Sequence, residues 1–264
     1  MAAEDGFQGV IAECPAMPDR QRSLGRSYVY GFLPPGVKWL LISNSVIFVI
    51  YWIGGEFIQR PAITLFALIP TFVATKFFVW QLFTYLFLHG GIGHIVLNML
   101  ALYFFGPPLE MDWGTRRFLK FYFYCGVVAG ICVVLAGMLV GGRDMLVPTL
   151  GASGAILGLL VAFGVLYPNE TILLMFVIPM KAKHLVMLYA AIEFLSLWGG
   201  NPGVSTIAHL GGMAFGFLYL KVRFPSAGRL IPDWRGRYRQ WKMQRAKKKF
   251  QVYMRKHGGG PWVN

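Results

Sequence analysis

Charged residues are scarce in this chain of 264 residues. Asp, Glu, Lys and Arg together make up 14% of it, whereas soluble proteins carry roughly 25%. Acidic residues are the scarcest, with 11 Asp and Glu against 25 Lys and Arg. Hydrophobic residues reach 56%, and the mean hydropathy is +0.55. This composition excludes an ordinary soluble domain and predicts an all-α, polytopic membrane protein.

Cysteine is also rare, and its spacing does not suggest a metal centre. Cys14 lies in a polar leader, while Cys125 and Cys132 lie within one apolar run and form no CxxC pair. Burial as small apolar side chains is the favoured interpretation of those two. We therefore predict neither a metal nor a cofactor. The leader lacks an apolar core near its start, so no secretory signal is expected and the first hydrophobic span should remain in the mature protein.

Six apolar runs approach the ~20 residues that a helix needs to cross a membrane. They predict spans over 37–57, 84–106, 118–140, 151–167, 182–198 and 204–222. The second span should end at Pro107-Pro108, because proline does not easily continue a helix. The stretch 58–80, with its prolines and Lys76, is predicted to lie on the membrane surface. The domain order is then a polar cytoplasmic leader (1–36), a six-helix membrane domain (37–222) and a basic cytoplasmic tail (223–264).

The basic residues predict the orientation of the spans. Apart from Arg60, Lys76 and Arg143, all of the 25 Lys and Arg residues fall on one side, which places both termini in the cytoplasm. A bacterial inner membrane is the expected location. Most of the net charge of +14 lies in the tail. A nucleic-acid arm would look similar, but after a membrane span a helix resting on anionic lipid is favoured, so the predicted partner is the bilayer and not nucleic acid.

A few polar residues interrupt three of the spans. His89, His94 and Asn98 belong to the second run, Ser153 opens the fourth and His209 lies early in the sixth. Such groups are costly in lipid unless they are paired or face a wet interior. All three spans should run inward from the outer surface, and at 1.5 Å per residue His94, Asn98, Ser153 and His209 share one shallow layer. A common site is therefore predicted.

Helix periodicity supports this grouping. His94 and Asn98 are spaced i,i+4 and share a face. Gly212 and Gly216 share a face with His209 and form a small-residue seam that allows close helix approach. Gly154 and Gly158 form a similar seam, rotated from Ser153 by roughly a third of a turn. That second seam is expected to pack against a different neighbour.

These residue types predict nucleophilic catalysis. A serine hydroxyl needs an adjacent base, for which His209 is the candidate beside Ser153. The oxyanion formed on attack needs fixed donors: the Asn98 amide, the His94 ring N–H and the Ser153 backbone N–H at a helix start. No carboxylate is expected at this depth, because Glu193 is placed nearer the middle of the membrane. The prediction is a Ser–His dyad.

Each residue taken alone also has a structural interpretation. Ser153 could serve packing, His209 could bond a carbonyl, Asn98 could join helices, and His89 at the span boundary is interpreted as structural. Only the combination favours catalysis. The "GASGA" run is not a nucleophile elbow of the G-x-S-x-G type, since Ala155 replaces its last glycine.

At these positions the chain resembles the rhomboid family of intramembrane serine proteases. The matching motifs are His94-x-x-x-Asn98, Gly151-Ala152-Ser153-Gly154, and Ala208-His209 followed by Gly212, with Glu110 after the second span. The resemblance covers residues 37–222.

The resemblance implies a six-helix fold, a cavity open to the outside and cleavage of single-span membrane proteins near their outer ends. It implies Ser153 as nucleophile, His209 as general base, and His94, Asn98 and the Ser153 amide as the oxyanion hole. Residues 199–205 would form a cap, and the fifth span a lateral gate.

Two positions depart from the family's pattern. Gln81 stands where an arginine is frequent, and Leu157 stands where many members place an aromatic residue under the histidine. The alternative function is a catalytically inactive rhomboid-like protein that binds membrane helices. A transporter is disfavoured, because the spans show no inverted repeat and the polar residues do not continue through the bilayer.

Overall fold

The computed structural model describes residues 33–174, 177–198 and 203–223. Nearly all of the predicted leader, the tail from residue 224 onward and most of the predicted cap lie outside the described residues.

Within these ranges the chain is built almost wholly of helices. The first three are α1 (Pro35–Ile53), α2 (Gly55–Phe66) and α3 (Pro70–Lys76), and a short turn, α4 (Gln81–Thr84), runs into a 3-10 turn, Tyr85–Phe87. The long central helices are α5 (Ile92–Trp113), α6 (Thr115–Val140) and α7 (Ser153–Leu166). A small antiparallel hairpin of β1 (Thr171–Leu174) and β2 (Ile178–Lys181) precedes α8 (Ala182–Trp198) and α9 (Val204–Arg223).

The helices α1, α5 and α6 are long and apolar enough to cross a membrane, and α7 is a shorter apolar helix. Large hydrophobic side chains cover the outside of the bundle, as in Leu139, which is 87% exposed. In water such a surface would be unstable, whereas lipid is its natural solvent. The predicted all-α membrane bundle is thereby confirmed, while the count of six spans stays a prediction.

The bounds predicted for the third to sixth spans agree with the helices to within three residues, while the first, predicted over 37–57, is too long because α1 ends at Ile53. The fifth span, predicted over 182–198, coincides with α8. The second, predicted over 84–106, is wrong at both ends, because α5 starts at Ile92 and runs through both prolines to Trp113. Each proline removes one backbone donor, but Pro107 and Pro108 are fully packed in the interior, where contacts from other helices hold this turn.

Glu110, on α5 within one turn of the prolines, makes the hydrogen bonds to these other helices. Its two carboxylate oxygens accept hydrogen bonds of 2.7 Å from the backbone N–H groups of Gly36 and Val37, and the Thr115 hydroxyl donates a third. The first N–H groups of a helix have no partner inside that helix. Glu110 therefore caps α1 from the end of α5 and joins both helices to the start of α6.

Glu110→Gln should lower the free energy of unfolding by about 1–3 kcal/mol, because its NH2 group would face a backbone N–H and leave a buried donor unpaired. Thermal unfolding in detergent measures the change. Glu56→Gln is the matched control, because Glu56 is exposed and pairs with Arg60, one turn along the same helix; its effect should stay within about 0.5 kcal/mol. Equal effects of the two variants would contradict the capping role.

The segment of α2 and α3 is anchored by Gln81, one of the two positions at which this chain departs from the family's pattern. Gln81 is fully buried. Its Oε1 accepts from the Ile69 N–H at 3.1 Å, and its Nε2 donates to the Thr64 carbonyl at 2.9 Å. The indole N–H of Trp80 donates to the Leu65 carbonyl. An uncharged glutamine thus supplies polar anchoring here without an arginine.

Two helices approach so closely that only glycine fits between them. A Cβ added to Gly212 of α9 would lie 2.0 Å from the carbonyl oxygen of Gly154, and one added to Gly216 would lie 3.1 Å from the Cα of Gly158. The expectation that the Gly154–Gly158 seam packs a different neighbour is correct in part: a Cβ on Gly154 would lie 2.8 Å from Ala129 Cβ of α6, but also 3.1 Å from the carbonyl oxygen of Ala208 of α9. Cys125 of α6 fills the space beside Gly158, as its small, buried side chain allows.

Candidate active site

The glycine contact brings Ser153 and His209 together. Ser153 is the first residue of α7, and His209 lies in the second turn of α9. Their side chains meet with Ser153 Oγ 2.7 Å from His209 Nε2. Ser153 precedes Gly154 and His209 follows Ala208, and these two neighbours are themselves in close contact, since a Cβ on Gly154 would lie 3.1 Å from the carbonyl oxygen of Ala208. The distance between hydroxyl and imidazole therefore depends on how closely the two backbones pack.

A carboxylate lies on the other side of the histidine. His209 Nδ1 is 2.8 Å from Oε1 of Glu193, and both side chains are largely buried, at 22% and 15% exposed. The expectation that Glu193 lies too deep to join the site is wrong. Glu193 lies five residues before the end of α8, and His209 lies five residues after the start of α9. In consecutive, packed helices, positions equally far from the connection lie at equal depth, and this symmetry is the sequence signal that was missed.

The loop before Ser153 passes over the ring of His94. Gly151 has φ +114°, a conformation that suits glycine alone. A Cβ there would lie 2.6 Å from His94 Nε2 and 3.8 Å from Asn98 Nδ2. The structure thus brings both side chains of α5 next to the residues that lead into Ser153.

Both of these side chains retain a donor. Asn98 is buried and donates from Nδ2 to the His94 carbonyl at 3.0 Å, and an amide nitrogen carries a second N–H. His94 Nδ1 accepts a long hydrogen bond, 3.4 Å, from the Gly90 N–H. In a neutral imidazole with Nδ1 as acceptor the proton is on Nε2, which is the atom beside Gly151. The backbone N–H of Ser153 is a third donor, because it belongs to the first turn of α7.

The loop itself is fixed by residues that the sequence did not single out. The Gly151 N–H donates to the Tyr85 carbonyl at 2.9 Å, and the Tyr85 hydroxyl donates to the Gly126 carbonyl at 2.7 Å. Thr149 and Leu68 exchange two backbone hydrogen bonds. Backbone contacts leave no trace in residue type, so no sequence signal pointed to Tyr85.

Two further residues border the site. His89 is completely buried, with its ring centroid 5.1 Å from that of His94. Leu157 is buried in a cluster with Leu160, Val161, Leu185 and Met213. Among the described residues, no group of three or more His, Cys, Asp and Glu side chains could hold a metal ion.

Fold and site together define an integral membrane protein with a serine, a histidine and a carboxylate in one chain of contacts inside its helix bundle. The chain belongs to the rhomboid family, because the Rhomboid domain profile matches residues 76–226, more than half of its length. The predicted family is thereby confirmed.

Curated proteins of the family are similar over a large part of the chain. "RHOMBOID-like protein 12, mitochondrial" of Arabidopsis thaliana is 32% identical over 67% of this chain and 55% of its own length. "Putative rhomboid protease YdcA" of Bacillus subtilis (strain 168) is 33% identical over 53% of this chain and 64% of its own length. "Rhomboid protein 1, mitochondrial" of Saccharomyces cerevisiae is 33% identical over 50% and 38%.

The chain thus spans between about a third and two thirds of the length of these relatives. Two of the three are named mitochondrial, so the relatives do not support the expected bacterial inner membrane. They agree with an integral membrane location.

The close contact between Gly212 and Gly154 should be sensitive to any added side chain. Gly212→Ala should lower the free energy of unfolding by roughly 1–3 kcal/mol, as overpacking of a close-packed interior does, because the added Cβ would overlap the Gly154 carbonyl. The matched control is Gly93→Ala on α5, where an added Cβ meets no atom within 4 Å and helix propensity should make the variant slightly more stable. Thermal unfolding of the two variants separates the outcomes, and a Gly212→Ala midpoint equal to that of wild type would contradict the contact.

Proposed function

We propose that this protein is an intramembrane serine endopeptidase that cleaves peptide bonds in or near the transmembrane segments of other membrane proteins. The observation that carries the proposal is the 2.7 Å contact between Ser153 Oγ and His209 Nε2 inside a membrane bundle. A hydroxyl becomes a useful nucleophile when a positioned base takes its proton. Membership of the rhomboid family and the likeness to a relative named a putative protease support this assignment.

In the proposed first step, Ser153 Oγ attacks the carbonyl carbon of the scissile bond while its proton moves to His209 Nε2. The tetrahedral intermediate then loses the amine, which takes the proton from Nε2 as the C–N bond breaks. An acyl ester on Ser153 is left. Water attacks this ester with His209 again as base, and the proton returns to Ser153 Oγ when the acid product leaves.

The negative oxygen of each intermediate needs donors that are already in place. Asn98 Nδ2, His94 Nε2 and the Ser153 backbone N–H are proposed for this role. Their support is the loop geometry, which holds Gly151 against the His94 ring and near the Asn98 amide. Glycine at this position lets the loop approach both side chains of α5.

Transmembrane protein substrates and the lipid bilayer are the proposed partners, with no role for nucleic acid. The exposed apolar side chains of the outer helices support contact with lipid. The distribution of basic residues supports cytoplasmic termini, which would put the start of α7 near the opposite surface. Substrates would then be cut close to their outer ends.

Ser153→Ala and His209→Ala should each reduce cleavage by about four orders of magnitude or more, since nucleophile and base act as a unit. The assay is cleavage of a single-span test substrate by protein reconstituted in liposomes, together with fluorophosphonate labelling of Ser153. Ser43→Ala and His184→Ala are matched controls. They remove the same two residue types at positions outside the site, on α1 and at the start of α8. If wild type neither cleaves several substrates nor becomes labelled, the proposal fails and an inactive binder of membrane helices takes its place.

Asn98→Ala should lower kcat by roughly 10²–10³-fold, the usual effect of losing one oxyanion donor. Asn44 provides a closely matched control. It is also buried, and its Nδ2 donates to the carbonyl four residues earlier, that of Leu40, at 2.7 Å. Asn44→Ala therefore removes the same kind of intrahelical bond away from the site, and an equal loss of kcat in both variants would contradict the role of Asn98.

A further inference from the structure

The two halves of α8 differ in how they pack. In the first half, Leu185 is only 3% exposed, and a Cβ on Gly164 of α7 would lie 2.4 Å from Val186 Cγ2. In the second half, Ile192 is 49% exposed and Leu195 is 67% exposed. The helix is thus seated firmly at its start, while its later turns present mostly apolar side chains to the surroundings.

Glu193 is the acidic residue in this more exposed half. It points inward, with a side chain only 15% exposed, and its carboxylate contacts His209. A carboxylate in an apolar bundle is costly unless it is paired. For packing alone an aliphatic side chain would serve as well, so an acidic residue here indicates a role for its charge.

The contact restricts what the imidazole can do. With Nδ1–H donating to Glu193 Oε1, the lone pair of the ring lies on Nε2 and faces Ser153 Oγ, the tautomer that a general base requires. The carboxylate also favours the imidazolium that forms once Nε2 has taken the serine proton. Among the described residues, His94 of α5 is a further titratable side chain that interacts with His209.

The surroundings of the ring support the same conclusion. Leu157, one turn after Ser153, packs into the aliphatic cluster and offers no aromatic face against which an imidazole could stack. Within the described part of the chain, the ring has hydrogen bonds with Ser153 and Glu193. Without Glu193, nothing polar on the Nδ1 side would fix the orientation of the imidazole among the described contacts.

We propose that Glu193 is a positioning residue that completes a Ser153–His209–Glu193 triad. The second half of α8 must then pack against α9 for the imidazole of His209 to be correctly oriented. This inference rests on the proposed protease function. The carboxylate touches neither substrate nor the reacting atoms, and it acts through His209 alone.

The test compares Glu193→Leu, Glu193→Gln and Glu193→Asp in the reconstituted full chain. Glu193→Leu should lower kcat by roughly 10- to 10³-fold, less than the ~10⁴-fold known for a fully buried triad carboxylate, with little change in KM. Fluorophosphonate labelling of Ser153 should slow by a similar factor. Glu193→Gln should lose at least as much, because its amide NH2 can donate to Nδ1 and so select the tautomer with the proton on Nε2, and Glu193→Asp should recover part of the rate.

Two comparisons distinguish positioning from a structural role. Ser196→Ala, on the same exposed turns of α8, and Glu56→Gln, an exposed carboxylate on α2, should leave kcat and labelling unchanged. In a His209→Ala background, Glu193→Leu should cause no further loss of the residual rate, because its effect passes through the imidazole.

Unchanged kcat and labelling in Glu193→Leu, with an altered thermal midpoint or KM, would overturn the inference and leave Glu193 as a helix clamp. An equal loss with and without His209 would overturn it as well. Either result beside an active wild type and an inactive Ser153→Ala leaves the protease function standing. A wild type that neither cleaves nor labels overturns both.

Discussion

The contact between the glycines of α7 and α9 controls the geometry of the whole site. In lipid the hydrophobic effect does not draw helices together, so close packing of small residues has to do so. Gly212 meets the Gly154 carbonyl so closely that no Cβ fits, and Ser153 and His209 both lie within one helical turn of these glycines. A histidine side chain reaches only a short distance from its backbone. Backbones held apart by even one methyl group would move the imidazole away from the hydroxyl.

Hydrogen bonds between distant parts of the chain then place the remaining polar groups. Glu110 caps α1, Gln81 holds the segment of α2 and α3, and Tyr85 holds the loop before the serine. In a medium that offers no water, an unpaired polar group is costly, so each of these groups stabilises one arrangement of the helices strongly over others. The same requirement pairs Glu193 with His209. Stability and site geometry thus have a common cause.

Residue type and spacing were sufficient to predict most of the helices and the residues that meet. The long apolar runs correspond to α1, α6, α7, α8 and α9, and the i,i+4 spacing of His94 and Asn98 places both beside the serine loop. The helix end predicted at Pro107 and Pro108 is wrong. Proline favours a helix end by its local effect on the backbone, but both prolines are buried and α5 continues through them to Trp113. The partners of Tyr85 are backbone atoms, which residue type does not reveal. The depth predicted for Glu193 is wrong, because a count along its own helix ignores the short connection between α8 and α9 that brings Glu193 level with His209.

Leu157 and Glu193 occur together near His209, and the way in which an imidazole is held in one orientation explains this combination. The ring must be held against rotation, and its Nε2 lone pair must point at the hydroxyl. An aromatic face supplies the first by stacking but leaves the tautomer free, whereas a carboxylate on Nδ1 supplies both at once. With Glu193 bonded at 2.8 Å, an aromatic residue at position 157 becomes unnecessary, and Leu157 can serve the aliphatic packing between α7 and α8. The histidine then depends on a third helix, α8, so the orientation of its imidazole depends on how firmly the later turns of that helix are held against α9.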